Sequence, residues 1–266
     1  MQARLREQAG PVWRIELGPG GRDEVTITCE GLQELLDLLA EAERAAECRV
    51  LVLQAGTGGF CRGMDLATLA ADPERETSVG LPRYAACLRA LRESSKVVVA
   101  LVDGAALGGG LGLAASADVL LATSRSSFGL PELMLGLVPA MVLPVLMQRL
   151  APQKARLLAL RLGVIDGAEA RRIGLVDELC ADEGAMERAL RAELKNLLRI
   201  RPDAVPALKR FAALAATLDP ADAVEAGRRL TAERTVQAET VAAVRSFVAG
   251  EPLGWLARYW PEGVKR

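Results

Sequence analysis

The stretch from Lys96 to Ala122, KVVVALVDGAALGGGLGLAASADVLLA, decides how the chain is read, because it joins two buried strands through three consecutive glycines. Lys96 to Val102 is a β-branched apolar run of strand length, and Ala117 to Ala122 is a second. Between them Gly108, Gly109 and Gly110 open a small-residue helix, so backbone N–H groups there approach a ligand with no Cβ in the way. The turn is therefore a candidate anion-stabilising corner. The alternative is that the glycines only let a helix pack tightly on a sheet, and the stretch alone leaves both open. It is not a dinucleotide or P-loop signature, since no G-x-G-x-x-G precedes it and no G-K-[ST] follows.

Working outward toward the N-terminus, Val12–Leu17 and Glu24–Cys29 alternate around Gly18-Pro19-Gly20-Gly21, which predicts an antiparallel hairpin. Residues 1–10 are polar and are predicted to fray. Gly31–Glu47 has apolar residues at helical spacing, and Arg49–Gln54 reads as a strand, giving a β-β-α-β opening. Phe60–Leu66 carries a second glycine turn into a short helix; residues 71–79 read as a surface loop before a helix over Leu81–Arg92. Toward the C-terminus, Ser127–Gly136 leads to an apolar helix reaching Leu150, and Pro152 opens another through Leu162. Gly167–Gly174 reads as helix and Leu175–Leu179 as a short strand; from Ala181 onward the pattern is helical. The expected organisation is an α/β core over 1–195 and a helical region over 196–266.

The 266 residues suffice to bury a sizeable core. With 51% hydrophobic and only 3% aromatic residues, that core must be built of Ala, Val and Leu. A net charge of −1 and a pI near 5.8 give no electrostatic footprint for nucleic acid or an anionic membrane. No leader-like segment and no apolar run of about 18 residues stands out, so a cytoplasmic protein without a membrane partner is expected. Cys29, Cys48, Cys61, Cys87 and Cys180 have neither disulfide-framework nor C-x-x-C spacing, and no metal site is expected. The chain contains no histidine. That excludes Ser-His-Asp and Cys-His nucleophiles, the H-E-x-x-H metal site and any imidazole base, so acid–base work falls to carboxylates, Lys, Tyr or Cys.

Four segments in order, FCRGMDL at 60–66, VDGAALGGGLGLAASAD at 102–118, FGLPELMLGLVP at 128–139 and AEARRIGLVDEL at 168–179, resemble the crotonase (enoyl-CoA hydratase/isomerase) superfamily over roughly residues 10–250. The resemblance implies an α/β crotonase fold, a spiral of ββα units with a helical C-terminal region that supports trimers or dimers of trimers. It implies that the N–H groups of Met64 and Gly109 form an oxyanion hole for a thioester carbonyl, with Gly108 beside them. Family hydratases use two glutamates. The position of the first is Gly112 here, and the second is Glu132. One carboxylate can still take an α-proton and return a proton to a departing hydroxyl on the same face, if it reaches both. Asp65, after the Met64 donor, is the other candidate catalytic carboxylate, with an N-cap role as its alternative.

Within the superfamily, FC-x-GMD, FGLPELMLGLVPAMVLP and the QKA of 153–155 resemble the dehydratases of polyketide β-branching cassettes. The implied reaction dehydrates a 3-hydroxy-3-methylglutaryl group on an acyl carrier protein to 3-methylglutaconyl, with no cofactor beyond the phosphopantetheine or CoA of the thioester. Arg62, Arg83, Lys96 and Tyr84 are candidates to grip the distal carboxylate. Arg156, Lys209 and Arg210 are candidates for carrier docking. The alternatives are a degradative CoA-thioester hydratase, isomerase or hydrolase, disfavoured by Gly112, and a non-catalytic crotonase-fold scaffold or an RNA-binding member, the last disfavoured by the acidic pI.

Overall fold

A computed structural model describes residues 1–19, 24–56 and 59–256. Strands β1 (Gln2–Ala9) and β2 (Val12–Gly18) are followed by α1 (Cys29–Arg44) and β3 (Val50–Ala55). Next come α2 (Leu66–Ala71), the single turn α3 (Pro73–Arg75), a π-turn over Glu76–Gly80 and α4 (Leu81–Glu93). The central stretch supplies β4 (Val97–Val102), β5 (Ala105–Leu107), α5 (Gly109–Ala115) and β6 (Val119–Thr123). Then follow β7 (Ser127–Gly129), a 3-10 turn at Glu132–Leu135, α6 (Val142–Leu146), α7 (Pro152–Leu160), β8 (Val164–Asp166), α8 (Gly167–Ile173), β9 (Glu178–Cys180) and α9 (Glu183–Leu197). Helices α10 (Ala204–Ala215), α11 (Pro220–Thr235) and α12 (Ala238–Val248) complete the described chain.

The main sheet has the order β1-β2-β3-β4-β6-β9, with β1 antiparallel to β2 and every later pairing parallel. Parallel strands covered on both faces read as continuous apolar runs, which is how β3 and β4 read. Leu51, Leu53, Val98, Ala100 and Val102 face the core shared with Leu32, Leu35 and Leu39 of α1 and Leu88 and Leu91 of α4. Alternate residues Val50, Val52, Val97, Val99 and Leu101 face Met186, Leu190 and Leu194 of α9. A second sheet has the order β5-β7-β8, with β5 parallel to β7 and β7 antiparallel to β8. Together these layers give the α/β body followed by a helical C-terminal region that the sequence implied. Helices α10, α11 and α12 have no fully buried residue.

Three expectations are corrected. Residues 2–9 do not fray: they form β1, paired with β2 from Gln2↔Gly18 to Ala9↔Val12. The N-terminal hairpin therefore turns at Gly10-Pro11, where Gly10 has φ +57°, and not at Gly18–Gly21. The Gly20 and Gly21 of that loop lie outside the described residues, while Val25 and Ile27 run alongside residues 62–65, not β2. Residues 71–79 are not a loop. They are α3 and a π-turn that runs straight into α4, with Glu76 buried against the Cys29 thiol.

Candidate active site

The site is assembled by main-chain pairing of three segments. The Cys61 N–H donates to Ala105 O (2.9 Å), and Leu107 N–H returns to Cys61 O (2.9 Å), zipping 61–63 onto β5. On its other edge the same segment meets 25–27: Ile27 N–H donates to Gly63 O (2.7 Å) and Asp65 N–H to Ile27 O (3.1 Å). In such a ladder the intervening Met64 N–H points away from Ile27. The approach of the two glycine turns is close. Gly63 sits at φ +87°, where a Cβ would lie 3.2 Å from Gly109 N. At Gly110 a Cβ would overlap the Cys61 carbonyl. Among the described residues, neither the Met64 nor the Gly109 N–H donates to a protein group. Two unused donors on adjoining turns can hold one oxygen.

Glu132 faces this pair. Pro131 starts the 3-10 turn, and Gly136 at φ +74° ends it with Leu137 N–H donating to Glu132 O (3.1 Å). The side chain reaches back to Gly108, whose absent Cβ would be 3.1 Å from Glu132 Oε1. Oε2 is buried with no hydrogen-bond partner among the described residues. Burial pushes the Glu132 pKa up, opposed only by its own backbone N–H. A carboxylate so placed is poised to hold a proton and pass it on.

Tyr84 closes the back of the site. Its hydroxyl donates to Gly109 O at 2.7 Å, and the ring is buried. Burial first, and then negative charge on Cys61, Glu132 and Cys87, holds its pKa well above the usual phenol value, so the hydroxyl stays neutral. Burial likewise pushes the Cys61 thiol up to about 11. A Cβ at Gly112 would overlap the Tyr84 hydroxyl oxygen.

Of the residues proposed from sequence, Glu132, Met64, Gly108, Gly109 and Tyr84 come together. Asp65 lies next to Met64 but caps α2: its Oδ1 accepts from Ala67 N (3.0 Å) and Thr68 N (3.1 Å), and its Oδ2 from Thr26 Oγ1 (3.3 Å). Arg62 alternates outward and pairs with Glu24 at 3.2 Å, half exposed. Lys96 is not brought to the site. It precedes β4, which alone runs about 20 Å at strand rise before the chain turns toward the glycines; its Nζ donates to Ala45 O (2.9 Å). Lys209 is bound to Asp118 (2.6 Å), so its charge is already engaged. Sequence reasoning missed that Tyr84 packs against Gly112. The available signal was the helical spacing of Tyr84, Cys87, Leu88 and Leu91, which marks one buried face.

The chain is similar to known proteins along most of its length. The model of the enoyl-CoA hydratase/isomerase family matches residues 22–255. The chain belongs to this family. The hydratase-family relatives include the bacillaene synthase dehydratase PksH of Bacillus subtilis, 31% identical over 189 residues, covering 70% of this chain and 71% of that one. The human mitochondrial enoyl-CoA hydratase domain-containing protein 2 is 34% identical over 180 residues, which is 65% of this chain and 61% of that protein. Among solved structures, Pseudomonas aeruginosa AtuE superposes with a TM-score of 0.87 at 32% identity, covering 97% of this chain and 100% of that one. The chain is thus an enzyme of the crotonase superfamily, a lyase of the hydratase and dehydratase kind that uses acyl thioesters. Among the described residues no helix is long and apolar enough to cross a membrane, and no cluster of His, Cys, Asp and Glu could hold a metal ion.

Proposed function

We propose that the protein dehydrates a 3-hydroxy-3-methylglutaryl thioester carried on an acyl carrier protein, giving the 3-methylglutaconyl thioester in polyketide β-branching. The observation that carries the reading is the Glu132 carboxylate, buried and unpartnered at Oε2, beside two idle N–H donors. In the proposed reaction the thioester oxygen accepts from Met64 and Gly109 N–H groups, and Glu132 removes the proton from the adjacent carbon. The electron pair moves onto the held oxygen as an enolate. It then returns to form the new double bond as the C3 hydroxyl leaves, protonated by the same Glu132 acid, so water departs and the carboxylate is restored. A carboxyl held above its ordinary pKa suits both halves of this relay. The similarity to PksH, a dehydratase of bacillaene synthase, supports the carrier-bound substrate.

The test is intact mass of a carrier protein bearing 3-hydroxy-3-methylglutaryl, with the same acid as its CoA thioester in parallel. Loss of one water from the carrier form alone is expected. An inert carrier form, with hydration of a short enoyl-CoA instead, counts for the degradative alternative. Inertness toward both counts for a scaffold.

The same reading places the protein in a homotrimer or a dimer of trimers. Val224, Phe247 and Val248 of α11 and α12 are 74%, 73% and 80% exposed, an apolar surface that a neighbouring copy would cover. Light scattering is expected to give a mass of three or six chains, and Phe247→Asp with Val224→Asp to shift it toward one. A monomeric wild-type protein would overturn this assembly.

A further inference from the structure

We propose that Tyr84 is a positioning residue for the donor pair, matched to Gly112: its hydroxyl fixes the first turn of α5 and fills the volume that any side chain at 112 would need. This rests on the assignment of the Met64 and Gly109 N–H groups as the thioester-oxygen donors.

Helix α5 is a poor candidate to hold its own position. It has seven residues, three of them glycine, and each interior glycine costs about 1 kcal/mol of helix stability relative to alanine. Gly108 before it has φ +52° and offers no side-chain cap. The helix is therefore tied from outside. At its C-terminal end the Arg149 guanidinium donates to the carbonyls of Ala115 (3.3 Å), Ala117 (3.2 Å) and Asp118 (3.2 Å). At its N-terminal end the side-chain tie is the Tyr84 hydroxyl on Gly109 O. That carbonyl lies in the 109–110 peptide, which adjoins the 108–109 peptide carrying the donor N–H, so the bond restrains the turn on which the donor's aim depends. A misplacement of about 1 Å at a reacting centre can cost about 10²-fold in rate.

Gly112 is the complement of this tie. A Cβ there would overlap the Tyr84 hydroxyl oxygen, yet would stand 3.4 Å from the ring carbon Cζ and 3.1 Å from Val142 Cγ2. The hydroxyl, not the ring, forbids a side chain at 112. Within the site, the room a second facing carboxylate would take is already occupied by a neutral phenol.

The two residues form a double-mutant cycle. Tyr84→Phe, Gly112→Ala and the double variant are compared on the thioester that the wild-type protein turns over. Isotope-edited infrared spectroscopy of bound crotonyl-CoA, ¹³C-labelled at the carbonyl, reads the donor pair independently of turnover. Tyr84→Phe is expected to lower kcat about 10- to 100-fold with KM within about 3-fold, and to shrink the binding-induced fall in the carbonyl frequency. Gly112→Ala is expected to lose about 10²-fold in kcat/KM, and adding Tyr84→Phe to recover at least tenfold of it. Wild-type kcat and carbonyl shift in Tyr84→Phe, or a double variant no better than Gly112→Ala, overturns the proposal. A wild-type protein that binds the thioester with no carbonyl shift overturns the donor assignment itself, and the positioning role falls with it. A shift in the wild type that Tyr84→Phe leaves intact counts against Tyr84 alone.

Discussion

Glu132→Gln is expected to lower turnover about 10³-fold while raising thermal stability at neutral pH. The first effect follows from removing the carboxyl that lies against Gly108, beside the donor pair, since a general acid–base residue contributes about 10²–10⁴-fold. The second follows from its surroundings: Oε2 is buried without a partner, and burial holds the Glu132 pKa above its ordinary value. A carboxyl whose pKa is raised by folding binds more protons in the native than in the unfolded state. Stability therefore falls as pH rises from about 4.3, the unfolded carboxyl value, through the raised native value. Above that window the charged group is a standing cost, which the neutral amide removes. The unfolding temperature of Glu132→Gln should therefore exceed that of wild type at pH 7–8. The gain should vanish near pH 4. Thermal scans across pH 4–8 beside single-turnover dehydration assays check both halves. Wild-type turnover in this variant would remove Glu132 from the mechanism, and a stability loss at pH 7 would mean that its charge is compensated.

How far the sequence could be read depended on how local each feature was. The triple glycine, the F-G-x-P-E run and the GMD turn are contiguous, and each brings its own backbone geometry. Those contiguous motifs carry the family resemblance through which Gly108, Gly109, Met64 and Glu132 are candidates, and the structure sets Glu132 beside Gly108 and the Gly63 turn beside Gly109. Lys96 shows the opposite case. It stands at the head of the same motif, but a strand converts closeness in sequence into distance, and its ammonium ends on Ala45 O, just past α1, at the start of β4. The hairpin was misplaced because Gly18-Pro19-Gly20-Gly21 is a louder turn signal than Gly10-Pro11, although the shorter turn is the one that closes β1 on β2. Residues 71–79 are polar enough to read as a loop. Their helicity is imposed by Asp72, whose Oδ1 accepts from Arg75 N (2.9 Å), and by burial of Glu76. The Tyr84 hydroxyl lay beyond reach of a sequence argument because its partner, Gly109 O, is a backbone atom 25 residues away.

Gly110→Ala is expected to be the most damaging single methyl in the chain's centre, and for a reason that separates the two readings of the triple glycine. At Gly108 an added Cβ meets the far end of a side chain, Glu132 Oε1 at 3.1 Å, which can swing away at the cost of its aim. At Gly110 the added Cβ meets backbone: it overlaps Cys61 O and lies 2.7 Å from Cys61 C. Cys61 cannot yield alone, because its N–H and C=O are both committed to β5, at Ala105 and Leu107, and its side chain is fully buried. Forcing a methyl into such a place costs about 1–3 kcal/mol or more, which corresponds to about 2–12 °C in unfolding temperature for a chain of this length. The relief available is to slide α5 away from residues 61–63, and that motion pulls the Gly109 donor from the Met64 donor. Gly110→Ala should therefore lose at least 10²-fold in turnover even at temperatures where it is fully folded, as losing one oxyanion donor does. Gly108→Ala should also lose stability, by about 1–3 kcal/mol, because φ +52° with ψ −125° is a backbone conformation that only glycine adopts freely, and lose activity through Glu132. If Gly110→Ala lost stability alone and kept its turnover, the glycines would be packing devices. A joint loss means that the close packing of these two turns is what brings the donors together.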